Sequence, residues 1–184
     1  MKYFSRISLT ASAANVQQLA ELFCQDSYRD HQLIWFFFPG ASNTTRNFLY
    51  RREQTRSSLK FYVVSEDIPQ DKDGLWRIDH QRYEPKLSTG ARRQFSLRVN
   101  PVITRWLTQR AKKLGFSFSP AEVRVDGYRQ HTLFSRGRKI RFSTLDFNGV
   151  LQVTEPDIFI QEALFQDLGP AKAFGCGLML VKRV

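Results

Sequence analysis

The side chains that could move a proton near neutral pH are few in this chain. It contains three histidines, His31, His80 and His131. Tyr28 and His31 lie three residues apart in a segment with helical spacing, which predicts that they share one face of a helix. A histidine placed in this way can give a proton to a departing oxygen, an effect of about 100- to 10,000-fold in rate. A structural role for the pair is the alternative, and on composition alone it is the more common one.

Neither metal chemistry nor nucleotide hydrolysis finds support in the sequence. No cluster of carboxylates with helix or strand spacing stands out, and Asp71 and Asp73 are typical of a polar loop. Cys24 and Cys176 form no CxxC pair, and no Walker-type glycine loop occurs. We therefore expect no metal and no cofactor. Cleavage of RNA by its own 2′-hydroxyl requires neither, because the protein then supplies acid–base help, alignment and charge stabilisation.

A glycine-rich segment near the C-terminus is a candidate phosphate contact. Residues 169–180 read GPAKAFGCGLML, which places Gly169, Gly175 and Gly177 around Lys172. A turn of this kind can expose successive backbone N–H groups and approach a phosphate backbone closely. A helix C-cap followed by a tight turn is an equally good interpretation.

The positive charge is concentrated in one stretch of the chain. The formal net charge is +11, and residues 92–141 hold thirteen Lys and Arg against two acids, whereas the other residues hold fifteen of each. A clustered basic surface collects phosphates and releases their counterions, so it favours a nucleic-acid partner. A solvated basic face is the alternative. A basic membrane-surface helix is less favoured, because no long amphipathic segment with Lys on one face is visible.

The most basic part of this stretch is a predicted hairpin over residues 132–142. Its turn and second strand carry four bases, Arg136, Arg138, Lys139 and Arg141. Gly137 permits a tight turn. Alternation within the strand would place Lys139 and Arg141 on one face, opposite Ile140 and Phe142. We expect this hairpin to contact the phosphates of a nucleic acid, with a solvated tip as the alternative.

The composition excludes several classes of protein. Aromatic residues make up 14% of the chain, more than disordered chains carry. The longest apolar run, Leu33–Phe38, is far shorter than the roughly 20 residues that span a bilayer. No secretory signal is visible, and the two cysteines are typical of reduced thiols. We therefore expect a cytoplasmic protein with no membrane partner.

Apolar spacing predicts the same order of elements twice. In residues 1–86 it indicates a strand, a helix and three strands, at 3–9, 15–37, 47–51, 59–65 and 76–83. In residues 91–184 it indicates a strand, a helix, a hairpin, a strand, a helix and a strand, at 94–99, 102–114, 132–142, 146–154, 157–168 and 178–181. A turn-rich linker separates the two. We therefore predict an α+β fold of two tandem ferredoxin-like (RRM-like) domains, 1–86 and 91–184.

Three segments, taken together, resemble those of one family. The first, Y-x-x-H-x-x-x-W-x-x-x-P, is formed by Tyr28, His31, Trp35 and Pro39. The second, F-x-L-R-x-N-P, spans residues 95–101, and the third, G-P-A-K-x-x-G-C-G-L, spans residues 169–178. A weaker F-x-G-V-L at 147–151 also fits. In this order and combination, the chain resembles the CasE-type CRISPR RNA endoribonucleases of type I-E Cascade complexes.

The resemblance implies a function and a set of site residues. The family cuts precursor CRISPR RNA at the base of a repeat stem-loop without a metal and leaves a 2′,3′-cyclic phosphate. It then keeps the product hairpin and joins the other protein subunits of Cascade. By the motif, His31 takes the catalytic position and Tyr28 that of its partner. The expected RNA-binding residues are Arg98, Arg136, Arg138, Lys139, Arg141, Lys172, Gly175 and Gly177.

One position departs from the family pattern. The family loop commonly begins with a glycine two residues before Gly169, where this chain has Asp167, a carboxylate that would repel a phosphate. No RNP1-like string occurs, so stacking of single-stranded bases on the sheet is not supported. Two alternatives to cleavage stay open at this point: an RNA-hairpin-binding subunit that does not cleave, and a basic DNA-binding adaptor.

Overall fold

The computed structural model describes residues 1–10, 16–23, 27–39, 46–100, 106–135 and 138–184. These residues form two compact units. The first unit comprises Met1–Glu84 together with Ala173–Gly175, and the second comprises Pro85–Lys172 together with Cys176–Val184. The domain boundaries drawn from the sequence, 1–86 and 91–184, stay a prediction.

In the first unit, two helices pack on a four-stranded antiparallel sheet. Its described elements are β1 (Tyr3–Leu9), α1 (Val16–Phe23), α2 (Ser27–Phe36), β2 (Phe48–Gln54), β3 (Leu59–Ser65) and β4 (Trp76–Arg82). The strand order is β2-β3-β1-β4. Alternation along β1 and β3 buries Ile7 and Phe61 in the same cluster as Ile34 of α2 and Phe37, the residue that follows the helix. Helix α2 is therefore fixed to the sheet along one face.

Within the single helix expected over residues 15–37, the structure describes two helical segments, α1 and α2. Residues 24–26, between them, lie outside the described residues. A side chain of β2 contacts the last described residues of α1. Arg52 donates hydrogen bonds to the backbone carbonyls of Leu22 and Phe23 at 2.9 and 3.4 Å, and it forms an ion pair with Asp30 of α2. The carbonyls of Leu22 and Phe23 are thus satisfied by a side chain of a strand.

The second unit contains a five-stranded sheet. Its strands are β5 (Arg92–Val99), β6 (Phe116–Ser117), β7 (Val123–Ser135), β8 (Arg138–Val153) and β9 (Met179–Arg183). Its helices are α3 (Trp106–Ala111), continued by a 3-10 turn (Lys112–Leu114), and α4 (Pro156–Ile158), continued by a π-helical turn (Phe159–Leu164). Two further 3-10 turns are Pro120–Glu122 and Lys172–Phe174, the latter shared with the first unit. The sheet order is β6-β8-β5-β9, and β7 also pairs with β8. Phe95 and Leu97 of β5 and Phe147 of β8 are buried in the core of this unit.

The hairpin of the second unit is longer than the sequence indicated. Strand 123–131 was not expected, and the strands expected at 139–142 and 146–154 are one strand, β8. Pairing with β8 holds β7 in place although its apolar alternation is weak, and a register shift interrupts the ladder between Asp126 and Arg129. The helix expected at 157–168 ends at Leu164 in a π-helical turn.

Both sheets follow the ferredoxin-like order. In each, the first and third main strands are central, the second and fourth lie outside, and neighbouring strands run antiparallel. In the first unit the described connector between β3 and β4, residues 66–75, contains no helix. The prediction of an α+β fold with two tandem ferredoxin-like domains is confirmed.

Candidate functional site

His31 lies on α2 and is held by a residue one turn further along the helix. The indole Nε1–H of Trp35 donates a hydrogen bond to His31 Nε2 at 3.1 Å, and the two rings meet edge to face with centroids 6.1 Å apart. The imidazole is partly buried. Burial and, to a smaller extent, the charge of Arg46 lower the pKa of His31 below its ordinary value. Because Nε2 accepts the indole N–H, the ring in this structure is a neutral imidazole.

Aromatic packing fixes the segment that carries His31. Trp35 lies edge-on against Phe48 of β2, with ring centroids 5.0 Å apart, and Phe38 stacks on the same Phe48 ring, also at 5.0 Å. Phe38 and Phe48 are buried. Since Trp35 is fixed by this packing, its N–H has a defined direction, and it fixes the imidazole in turn.

Arg46 is a candidate site residue that the sequence analysis missed. Its Nε donates to the carbonyl of Phe48 at 2.8 Å, and its guanidinium carbon lies 5.1 Å from the Phe48 ring centroid and 5.6 Å from that of Tyr50. The guanidinium thereby places a fixed positive charge whose field reaches His31. The sequence signal for it was a basic residue directly before an aromatic-rich strand, in RNFLYRR.

Tyr28 lies on α2, one turn before His31, as the sequence predicted. Its side chain lies outside the described part of the structure. A role for Tyr28 as the partner of His31 stays a prediction.

Part of the glycine-rich segment packs against β2. The hydroxyl of Tyr50 donates to the carbonyl of Ala173 at 2.8 Å, and Gly175 has a φ of 75°, in the left-handed region. A Cβ at Gly175 would lie 3.1 Å from Cε2 of Tyr50. Ala173–Gly175 and His31 thus belong to one unit. The loop contacts β2 through Tyr50, and the helix that carries His31 contacts β2 through Phe48.

The rest of the segment is tied into the second unit. The N–H of Gly177 donates to the carbonyl of Arg98 at 2.8 Å, and the carbonyl of Gly177 accepts from the N–H of Leu168 at 3.0 Å. Gly177 also has a left-handed φ, 92°, and a Cβ there would lie 2.9 Å from the nitrogen of Leu168. The backbone of Gly177 therefore braces the loop and has little space for a side chain.

The carboxylate that departs from the family pattern has a basic neighbour. Nζ of Lys172 lies 3.5 Å from Oδ1 of Asp167, and the lysine is more than half exposed. An exposed pair at this distance is weak. Asp167 offsets part of the charge of Lys172, and a phosphate approaching the lysine would have to compete with it.

Arg98 is engaged by a carboxylate of the neighbouring strand. Its Nε and a terminal nitrogen bond the two oxygens of Asp146 at 3.0 and 2.9 Å. The same side of the sheet holds His131, which lies 3.0 Å from the hydroxyl of Thr144 and stacks on Phe142. Burial, followed by the charges of Arg98 and Arg129, lowers the pKa of His131. A contact of Arg98 with RNA stays a prediction.

The basic hairpin has the alternation that the sequence predicted. Thr132 pairs with Arg141 and Phe134 with Lys139, whereas Leu133 pairs with Ile140. Leu133 is buried, while the side chains at positions 138, 139 and 141 are exposed. Arg136 and Gly137 lie outside the described residues. The role of these basic residues in binding RNA stays a prediction.

Phe134, an aromatic side chain on the face that holds Lys139 and Arg141, was not singled out from the sequence. Phe134 is 73% exposed, and Nζ of Lys139 lies 5.9 Å from its ring centroid. The described residues of β7 and β8 between Gly127 and Leu145 contain no acid. An exposed aromatic ring among basic side chains is suited to binding a nucleic acid, because nucleobases stack on aromatic rings and phosphates pair with cations.

Neither a metal site nor a membrane span is found in the described ranges. No group of three or more His, Cys, Asp or Glu side chains there is placed to hold a metal ion. None of the helices in those ranges combines the length and apolar character that a membrane crossing requires.

Comparisons with known proteins agree on one family. A family model described as CRISPR associated protein matches residues 2–105 and 102–183. The Cascade subunit CasE of Escherichia coli K12 is 25% identical over 191 residues, covering 88% of this chain and 94% of that protein. The structure of a CRISPR endoribonuclease Cse3 bound to a 19-nucleotide RNA superposes with a TM-score of 0.80 at 21% identity, covering 98% of both chains. Cse3 of Thermus thermophilus, bound to an RNA representing a pre-cleavage complex, gives 0.77 at 21% identity and the same coverage.

Proposed function

Since the chain belongs to the family of CRISPR associated proteins and is of the CasE type, we propose that it is an endoribonuclease that cleaves precursor CRISPR RNA. It cuts at the base of the repeat stem-loop and stays bound to the product hairpin as a subunit of a Cascade complex in the cytoplasm. The observation that carries this proposal is the placement of His31. It stands at the motif's histidine position on helix α2, and the charge of Arg46 reaches it. The same helix packs through Trp35 on β2, the strand that also contacts the glycine-rich loop.

The reaction that fits these residues is an internal transesterification without a metal. The 2′-hydroxyl gives its proton to water as its oxygen attacks the adjacent phosphorus. The bond from phosphorus to the 5′-oxygen breaks, and the products carry a 2′,3′-cyclic phosphate and a 5′-hydroxyl. His31, once protonated, gives its proton to the departing 5′-oxygen. Arg46 is placed to stabilise the charge that develops on the phosphate, because its guanidinium is held by Phe48 and Tyr50 and need not reorganise.

The second unit supplies the binding surface for the hairpin. Two exposed bases of β8, Lys139 and Arg141, lie on one face of the β7–β8 hairpin, the face that also holds Phe134. A surface of this kind holds the phosphates of an A-form stem mainly by charge, so its affinity falls with salt. The product is retained because these contacts do not depend on the scissile bond.

A second function, hairpin binding without cleavage, has one observation in its favour. Nε2 of His31 is occupied by the N–H of Trp35, and Nδ1 is buried without a hydrogen-bond partner among the described residues. In that geometry the ring offers no proton to a substrate. Cleavage therefore requires the imidazole to gain a proton and release Trp35 when RNA binds.

One assay separates the candidate functions. The purified protein is incubated in EDTA with a repeat RNA, with the same RNA carrying a single 2′-deoxy nucleotide at the cleavage position, and with the matching DNA. We expect cleavage of the RNA alone, a cyclic phosphate on the upstream product, and tight binding of the 2′-deoxy RNA. Tight binding of all RNA without any product would support the non-cleaving subunit, and equal binding of the DNA would support the adaptor.

A further inference from the structure

The hydrogen bond between Trp35 and His31 determines where the imidazole carries its proton. The indole Nε1–H is a donor only, and it lies 3.1 Å from His31 Nε2. Nε2 must therefore act as the acceptor, which requires the neutral ring with its proton on Nδ1. The bond thus selects one of the three states that a histidine can adopt.

The other ring nitrogen does not favour a charged ring either. Nδ1 of His31 is buried, and it has no hydrogen-bond partner within the described ranges. An imidazolium carries a proton on both nitrogens, so it would have two donors, one unpaired in a buried position and one directed at the indole N–H. The arrangement found here is stable for the neutral ring and unfavourable for the charged one.

The surroundings act in the same direction. Trp35 packs on Phe48 of β2, so turning the indole away from His31 costs packing free energy. Arg46 is the charged side chain facing His31 from the segment that leads into β2, and its field also disfavours a second positive charge. A bound phosphate would reverse that balance, because it pairs with the cation and attracts a proton to the imidazole.

From this geometry we infer that Trp35 is a positioning residue for His31. In the free protein, its indole N–H keeps the His31 ring neutral, with the proton on Nδ1. His31 becomes an acid only when that hydrogen bond opens and Nε2 takes up a proton. This inference rests on the proposed function for its catalytic meaning, but not for the proton position itself. Trp35 thereby couples proton uptake by His31 to the arrival of the RNA phosphate.

The test is to measure the pKa of His31 in Trp35→Phe by an NMR-monitored pH titration in the absence of RNA. Phenylalanine keeps a ring against Phe48 and removes the N–H. A hydrogen bond to the neutral form lowers a histidine pKa, so we expect its removal to raise the pKa of His31 by about half a unit to one unit. With three histidines in the chain, His31→Ala assigns the resonance.

Phe38→Leu is the matched control. Phe38 stacks on the same Phe48 ring but makes no hydrogen bond to His31, so its replacement changes the packing and keeps the Trp35 contact. We expect the pKa of His31 in Phe38→Leu to stay near that of the parent. A pKa that is equal in Trp35→Phe, Phe38→Leu and the parent would overturn the inference.

A second measurement needs no variant and so does not depend on folding of Trp35→Phe. In the parent protein, the indole N–H resonance of Trp35 should shift with the same midpoint as His31, because protonation of Nε2 breaks the bond. An indole resonance that does not respond to the titration of His31 would contradict the inference.

The two proposals fail separately. The titrations are made without RNA, so loss of cleavage activity does not affect them. If the parent cleaves RNA, the alkaline limb of its single-turnover pH profile should move to higher pH in Trp35→Phe by the same increment as the pKa of His31. If His31→Ala cleaved as fast as the parent, the proposed function would fall while the titration result stood.

Discussion

Replacing Gly175 by valine perturbs a point at which the glycine-rich segment contacts strand β2. Gly175 has a φ of 75°, and a Cβ there would lie 3.1 Å from the ring of Tyr50. Tyr50 is completely buried, and its hydroxyl is fixed to the carbonyl of Ala173. The ring therefore cannot move away without breaking that hydrogen bond.

The expected cost follows from two effects. A left-handed φ costs a residue with a side chain about 1–2 kcal/mol relative to glycine, and more for a β-branched one. The close contact then displaces either the loop or the Tyr50 ring and with it a hydrogen bond of about 1 kcal/mol. Together these give about 2–3 kcal/mol, enough to shift the loop out of the position seen here in most molecules.

Gly74→Val separates the two effects. Gly74 has a φ of 70°, close to that of Gly175, and a Cβ there would meet nothing within 4 Å. Gly74→Val therefore carries the backbone cost alone. Lys172→Ala removes an exposed, long ion pair and should cost at most about 1 kcal/mol.

The assay measures thermal unfolding and single-turnover cleavage of the repeat RNA for all three variants. We expect cleavage to fall at least 10-fold in Gly175→Val, to stay near the parent in Gly74→Val, and to fall less in Lys172→Ala than in Gly175→Val. Normal cleavage by Gly175→Val, with a stability equal to that of Gly74→Val, would show that the segment is only a turn.

Three further predictions concern the second unit and pH. Arg138→Ala/Arg141→Ala should weaken binding of hairpin RNA and reduce its salt slope by about one unit for each phosphate that is no longer neutralised, with thermal stability nearly unchanged; equal slopes for variant and parent would show that these arginines do not contact RNA. Phe134→Leu should lower the affinity by about 1–3 kcal/mol at every salt concentration while leaving the slope as it is, because base stacking releases no counterions; an unchanged affinity would contradict this role of Phe134. The lowered pKa values of His31 and His131 mean that the unfolded chain takes up these protons first, so stability should fall as pH decreases below about 6.5, and His131→Gln should flatten that dependence in thermal melts between pH 7.5 and 5.

The sequence predicted the fold well where one face of an element is buried. Strand 59–65 was assigned its observed bounds, because its apolar residues alternate and end at polar turns. The strand at 123–131 was missed because its order depends on pairing with β8 across a bulge rather than on its own apolar pattern. The contact of Arg52 with the carbonyl of Leu22 was missed for a similar reason, since it joins α1 to a strand that is distant in the sequence.

The site could be predicted only in part. A sequence motif and helical spacing were sufficient to single out His31. The contact of the glycine-rich segment with Tyr50 joins residues more than 120 positions apart, which no local pattern shows. The field of Arg46 on His31 likewise depends on how β2 packs beside α2, and the acceptor state of Nε2 depends on the direction of one indole N–H.

The central claim is that His31 protonates the departing 5′-oxygen, and single-turnover cleavage by His31→Ala tests it most directly with two RNAs. One is the normal repeat RNA, and the other carries sulfur in place of the 5′-oxygen at the cleavage site, a leaving group that needs no proton. We expect His31→Ala to cleave the normal RNA about 100- to 10,000-fold more slowly than the parent, to regain most of that loss on the sulfur-substituted RNA, and to bind both RNAs as the parent does. Unchanged cleavage of the normal RNA, or an equal defect on both substrates, would contradict the assignment of His31 as the acid.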